Sequence, residues 1–349
     1  MKRINLFLFF LIYLPFQTLN AQHPEGSVVV EWIPAPSLQM EQEAVPERRT
    51  TIYLPHGYHD TSASYPVIYY LHGGFWNDSL QIANDKFDKL LDKAIATGRI
   101  EPVIVVMPNH QTGYVGSFYT NSALTGNWAD FTAYDVVQYV DRNYRTIPDR
   151  LSRGVSGHSM GGYGAIKFGM RYPEVFSAVY GLNPCCLDVR KEFSLDHPVF
   201  KRISELKTSE EVINWNEEFW PIVMIEYSQA VSSNPDKPPF YIDLPYEYQG
   251  DEVIVNEQVL DLWDKESPVN MVATYTDNLK KLTAIKFDWG RKEEVLSELC
   301  KDFSRELEKF GIKHFAEEYL GDHANMLWTD DGRAMTDMLP FFNRYLVFE

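Results

Sequence analysis

The chain has 349 residues, of which 45% are hydrophobic and 23% charged, and it carries a formal net charge of −17. That length and balance suit one large buried core and exclude a disordered or fibrous chain. So acidic a surface repels nucleic acid phosphates and anionic membranes, which excludes nucleic acid as a partner and leaves neutral polymers or small uncharged molecules.

The first 21 residues read as an export signal. Lys2 and Arg3 precede an apolar run from Ile4 to Phe16, and Leu19-Asn20-Ala21 offers a cleavage point before Gln22. The run is short for a bilayer span and no later segment reads as one, so the expected location is secreted or periplasmic. The three cysteines, Cys185, Cys186 and Cys300, make no disulfide framework and no zinc-like spacing. Neighbours such as Cys185 and Cys186 rarely bond to each other, so at most one bridge is expected, from either of them to Cys300.

Beyond the signal, residues 27–33 and 49–54 alternate apolar and polar side chains and predict an opening hairpin. Residues 67–71 (Val-Ile-Tyr-Tyr-Leu) form a short apolar run stopped by His72-Gly73-Gly74, the pattern of a buried parallel strand. A helix follows over 84–97, a strand over 103–107, a helix over 131–144 and a strand over 151–155. Gly161 to Tyr172 predicts a helix and 175–182 another strand. The rhythm then breaks: residues 184–270 are rich in Trp, Tyr, Pro and acids. It resumes with a strand over 283–287, a helix over 293–310, a strand over 313–319 and a closing helix over 334–345. Alternation of this kind predicts an α/β fold, a mostly parallel sheet with helices on both faces. The core spans 22–183 and 271–349, and 184–270 is an insertion expected to act as a lid.

Gly157-His158-Ser159-Met160-Gly161-Gly162 fits G-x-S-x-G between an apolar strand and a helix. A serine on so sharp a turn needs neighbours without side chains, because other backbone approaches closely on both sides. The following helix aims its N-terminal N–H groups at the serine oxygen, where negative charge develops in acyl transfer.

The run Gly-His-Ser-Met-Gly-Gly-Tyr-Gly-Ala (157–165), followed by Arg171-Tyr172-Pro173-Glu174-Val175-Phe176, resembles the putative-esterase family of α/β-hydrolases. That family includes feruloyl esterases, acetyl xylan esterases, S-formylglutathione hydrolase and mycolyltransferases. The resemblance extends over residues 50–178 and from 285 to the C-terminus, and leaves the insertion uncovered. It implies an α/β-hydrolase fold and a serine esterase with Ser159 as nucleophile.

In such enzymes the order along the chain is serine, acid, histidine. Only His197, His314 and His323 follow Ser159. His197 precedes the next core strand, and His314 lies inside a strand pattern. His323, in Gly321-Asp322-His323 directly after the last strand, remains as the general base. The acid belongs just after the strand ending near Phe287, which offers Asp288, Glu293 and Glu294. The family's glycine with an acid three residues on, matched onto Gly290, implies Glu293; Asp288, which closes the strand, is the alternative. For the oxyanion, the amide of Met160 is one expected donor, and Gly74 or Phe75 in His72-Gly73-Gly74-Phe75-Trp76 supplies another, with His72 holding the loop.

The expectation is an exported serine carboxylesterase acting on acyl or feruloyl esters, as a small molecule or on a polysaccharide, with no metal or organic cofactor. An acyltransferase with the same triad and a non-catalytic carbohydrate-binding relative are the alternatives. The oligomeric state is not readable from these residues.

Overall fold

The structure, a computed structural model, describes residues 23–40, 43–113, 115–212, 218–250 and 252–349. The expected export signal lies outside the described residues. Eight strands form the central sheet: β1 (Ser27–Pro34), β2 (Glu47–Leu54), β3 (Val67–Leu71), β4 (Ile104–Pro108), β5 (Arg153–His158), β6 (Ala178–Leu182), β7 (Ala284–Gly290) and β8 (Phe315–Tyr319). They lie side by side as β1-β2-β4-β3-β5-β6-β7-β8. The β1–β2 and β2–β4 pairs are antiparallel and all others parallel. This is the mostly parallel sheet that the strand–helix alternation predicts.

Among the helices are α1 (Phe87–Ala96), α2 (Val137–Asn143), α3 (Met160–Arg171), α4 (Phe219–Val231), α5 (Glu257–Glu266), α6 (Pro268–Leu279), α7 (Glu294–Lys309) and α8 (Leu339–Tyr345). They divide the sheet into two cores. In β3, Val67, Tyr69 and Leu71 join the core that holds α3, while Ile68 and Tyr70 join the one under α1 and α8. A strand buried on both faces has no polar side to show, which is why β3 reads as an unbroken apolar run.

Three helices differ from their expected extents. The helix expected over 84–97 starts late, at Phe87, because Lys86 takes a left-handed backbone (φ 52°), and a separate short helix, Asp78–Ala83, precedes it. Wider π turns over Phe131–Val136 and Ala334–Met338 lead into α2 and α8, each an irregularity that hydrophobic spacing does not resolve.

The insertion packs against the α3 face and is tied to the core at two buried points. Glu266, closing α5, takes Lys167 of α3 at 2.7 Å and Arg171 at 2.6 Å. Burial lowers the Lys167 ammonium to about 8, and the Glu266 carboxylate opposes that fall. Glu226 of α4 accepts from the Thr112 hydroxyl and the Val115 amide in the loop after β4. The expected boundary at 270/271 falls inside α6, which packs along α3 and returns the chain to β7.

Candidate active site

β5 ends at His158 and α3 begins at Met160, so the reversal falls on one residue, Ser159, at φ 56° and ψ −117°. An L side chain is strained there, and the surroundings hold it in place. The Ser159 amide donates to the Leu182 carbonyl at 3.0 Å, and its own carbonyl accepts from Tyr163 at 3.0 Å. Glycine is compulsory on both sides. A Cβ on Gly161 would lie 1.9 Å from the Leu71 oxygen, and one on Gly157 would lie 2.5 Å from it. The spacing of the motif is thus the contact distance between β3 and the turn.

His323 reaches this serine from the other end of the chain. Its Nε2 lies 2.8 Å from Ser159 Oγ. The loop carrying it is laced to the end of β7: Arg291 donates to the Tyr319 carbonyl at 2.9 Å and Lys292 to that of Gly321 at 3.0 Å. Gly290 lets the two segments meet, since a Cβ there would stand 2.6 Å from the Asp322 oxygen. Desolvation holds the His323 pKa below the usual 6.5, while the charges of Glu293 and Asp322 oppose it. A neutral imidazole beside a hydroxyl is a proton acceptor.

The acids separate by what they touch. Asp288 is fully buried and accepts from the Tyr180 hydroxyl at 2.7 Å and from Arg333 Nε at 2.8 Å, so its bonded oxygen faces the sheet and α8 side. Asp322 turns back on its own loop, accepting from the amides of Ala324 and Asn325. Glu293 lines the same cavity as His323 and is the largest charge acting to raise its pKa. It makes no hydrogen bond to His323 Nδ1, which is buried with no partner among the described residues. Glu294 lines the cavity as well.

The two candidate donors in the loop after β3 differ in what their amides meet. The Phe75 amide donates to the Val115 carbonyl at 2.9 Å. The Gly74 amide has no hydrogen-bond partner among the described residues, and a Cβ there would meet Val115 at 2.9 Å. Both residues line the cavity with Ser159 and Met160. His72 holds this loop as expected. Its Nε2 accepts from the His110 amide at 2.9 Å, which leaves Nδ1 to donate to the Gly73 carbonyl at 2.8 Å, and burial lowers its pKa to about 4.

The other two histidines after Ser159 have separate surroundings. His314 lies 2.7 Å from the Ser304 hydroxyl and stacks on Phe287. His197 lines the cavity against Phe193 and Trp220.

Two features escaped the sequence. His158, the variable residue before the serine, places Nε2 2.7 Å from the His323 carbonyl, and its ring packs 5.0 Å from that of His323. Burial and the neighbouring imidazole lower its pKa to about 3, so it stays neutral and its Nε2–H donates to that carbonyl. The cysteines are the second. None is bridged, so the expected link to Cys300 is absent. Cys300 is sealed in the core, and the Cys185 sulfur meets that of Cys186 instead.

The cavity above Ser159 has a volume of about 870 Å³, within the range of small-molecule sites. Its floor is core. One wall belongs to the insertion, through Phe193, His197, Phe219, Trp220 and Val223. Phe219 stacks on Phe75 at 5.2 Å, joining that wall to the loop after β3.

A family model described as putative esterase matches residues 43–342. An esterase of Mycobacterium tuberculosis is 34% identical over 149 residues, which is 41% of this chain and 30% of that protein. An endo-1,4-beta-xylanase/feruloyl esterase of Xylanibacter ruminicola is 31% identical over 137 residues, 36% of this chain and 18% of that protein. The chain thus spans less than a third of the length of either relative. Among solved structures, a ferulic acid esterase matches with a TM-score of 0.62 at 20% identity, covering 92% of this chain and 99% of that one. An S-formylglutathione hydrolase from Agrobacterium tumefaciens matches with 0.59 at 14% identity, covering 93% and 98%. Both likenesses concern the fold.

Proposed function

The chain belongs to the putative esterase family of α/β-hydrolases, and from that premise we propose that it is an exported serine esterase that cleaves acyl or feruloyl esters carried on carbohydrate. The observation that carries the reading is the 2.8 Å contact between Ser159 Oγ and His323 Nε2 at the floor of a large cavity.

His323 takes the hydroxyl proton as Ser159 attacks the ester carbonyl. The oxyanion lies against the Met160 amide at the start of α3 and the uncommitted Gly74 amide, while Phe75 stays bonded to Val115. The imidazolium then protonates the leaving alcohol. Water activated by the same imidazole cleaves the acyl-enzyme, releasing the acid. Glu293 stabilises the imidazolium by its charge, and His158 fixes the loop that presents it. No cofactor or metal takes part in these steps.

The substrate reading rests on the cavity wall. Phe75, Trp76, Phe118, Phe193 and Trp328 give an aromatic acyl group planar surfaces to pack on, and Trp220, 45% exposed, offers a face to the alcohol part. The Xylanibacter ruminicola relative named as a xylanase/feruloyl esterase supports the same class. The insertion residues Phe193, His197, Phe219, Trp220 and Val223 enclose one side of that cavity. Export rests on Lys2, Arg3 and the apolar run behind them.

The test is hydrolysis of p-nitrophenyl acetate, methyl ferulate, feruloylated arabinoxylan and a long-chain ester, by wild type and Ser159→Ala, with fluorophosphonate labelling of both. Activity on methyl ferulate and labelling confined to wild type are expected. Activity surviving in Ser159→Ala overturns the mechanism, and preference for the long-chain ester overturns the substrate.

A further inference from the structure

The short loop after β6 carries Cys185 and Cys186 into the cavity wall beside Ser159. In an extended chain, adjacent side chains point to opposite sides. Here Cys186 takes a left-handed backbone, φ 59°, and Asn183, at the start of the loop, does the same at 44°. Non-glycine residues enter that region at a cost, and they stay there only when their surroundings hold them.

The surroundings do hold them. The Cys185 amide donates to the Ser159 carbonyl at 3.4 Å, and the Cys186 amide donates to Glu192 Oε2 at 3.2 Å. The Asn183 amide donates to the Asp288 carbonyl at 2.9 Å. Pro184 sits against α3, where a Cβ on Gly162 would come within 3.1 Å of it. The outcome of this enforced twist is that two neighbouring thiols share one side of the chain, sulfur against sulfur at 2.7 Å. Cys185 is partly exposed to the cavity, whereas Cys300 is fully enclosed in the core.

We infer that Cys185 and Cys186 are the site of a vicinal disulfide built into the wall of the active-site cavity. In its formation each thiol loses its hydrogen and one sulfur–sulfur bond forms. The two electrons and two protons pass to a disulfide oxidant, which leaves as two thiols. Because the bridged residues are neighbours, almost no chain is closed, and the bond adds next to nothing by restricting the unfolded state. Its effect is local: a closed ring fixes the loop whose amide is bonded to the nucleophile's own carbonyl. This assignment stands on geometry and does not need the esterase reading to hold.

The test uses the full chain exported to an oxidising bacterial periplasm and purified without reductant. It is denatured in iodoacetamide, digested and weighed by mass spectrometry. The expected result is alkylation at Cys300 alone, with the peptide containing Cys185 and Cys186 lighter by two hydrogens, and alkylation of all three after dithiothreitol. The variant Cys300→Ser repeats the measurement without the third thiol, and no alkylation before reduction and two sites after it are expected. Three alkylated cysteines in the unreduced wild type, persisting after incubation with oxidised glutathione, overturn the inference. A peptide joining either neighbour to Cys300 overturns it equally. Loss of esterase activity with the bridge intact would sink the proposed function and leave this inference standing.

Discussion

The nucleophile turn and the insertion meet in one cavity and are built on opposite terms. Around Ser159 the geometry is held by main chain: amide to carbonyl between β6 and the turn, and glycines at contact distance from β3. The insertion contributes side chains, an aromatic wall packed ring against ring and two carboxylates that grip the core. A backbone-built site tolerates no added atom, whereas a side-chain-built wall accepts substitution and changes shape. Under the proposed function, this contrast assigns chemistry to the first region and selectivity to the second.

The largest effects therefore fall on the turn. Ser159→Ala is expected to reduce kcat by roughly a million-fold, measured with p-nitrophenyl acetate, while leaving Tm unchanged. Gly161→Ala is expected to abolish soluble expression or lower Tm by several degrees, since its Cβ would overlap the Leu71 carbonyl.

The two acids break the comparison in a more informative place. Glu293→Gln is expected to lower kcat by roughly a hundredfold or more. Its charge raises the His323 pKa, so removing it should also move the acid limb of the kcat/KM profile to lower pH. In wild type that limb already lies below 6.5, because desolvation holds the imidazole neutral down to a lower pH than in water. Asp288→Asn should instead cost about 2 kcal/mol in chemical denaturation, by weakening the buried charged hydrogen bond from Arg333, which keeps Glu317 and Asp337. If Asp288→Asn abolished activity at unchanged stability, and Glu293→Gln did not, the two roles would be reversed.

The smallest effect sharpens the selectivity half. Trp220→Ala and Phe219→Ala are expected to raise KM for methyl ferulate by roughly tenfold, the equivalent of one lost aromatic contact. Their kcat on p-nitrophenyl acetate should not change. A fall in kcat on both substrates would move the insertion from selectivity into chemistry.

How much of this was legible follows the same division. The turn was readable because its constraint is steric and local, and the only residue that satisfies it at 157 and 161 is glycine. His323 was readable because chain order left few alternatives, and Gly290 marks where its loop must pass close to β7. His158 was not, since a variable position between two fixed ones carries no spacing signal. The meeting of Cys185 and Cys186 was equally hidden, because it depends on a left-handed backbone at Cys186 that no glycine announces. The late start of the helix before β4, after Lys86, has the same cause. The aromatic residues of 184–270 could be read as packed, yet periodicity names a buried face and not the partner it meets.

Glu226 turns the insertion into more than a removable cover. Through Val115 its carboxylate steadies the strand of loop that fastens the Phe75 amide, one residue from Gly74. Exchanging residues 184–270 for the corresponding stretch of another hydrolase would also unfasten the loop that carries the proposed oxyanion donor. Such a graft needs an acid kept at that helical position, and the segment and the loop it clasps should be redesigned together as one heritable unit.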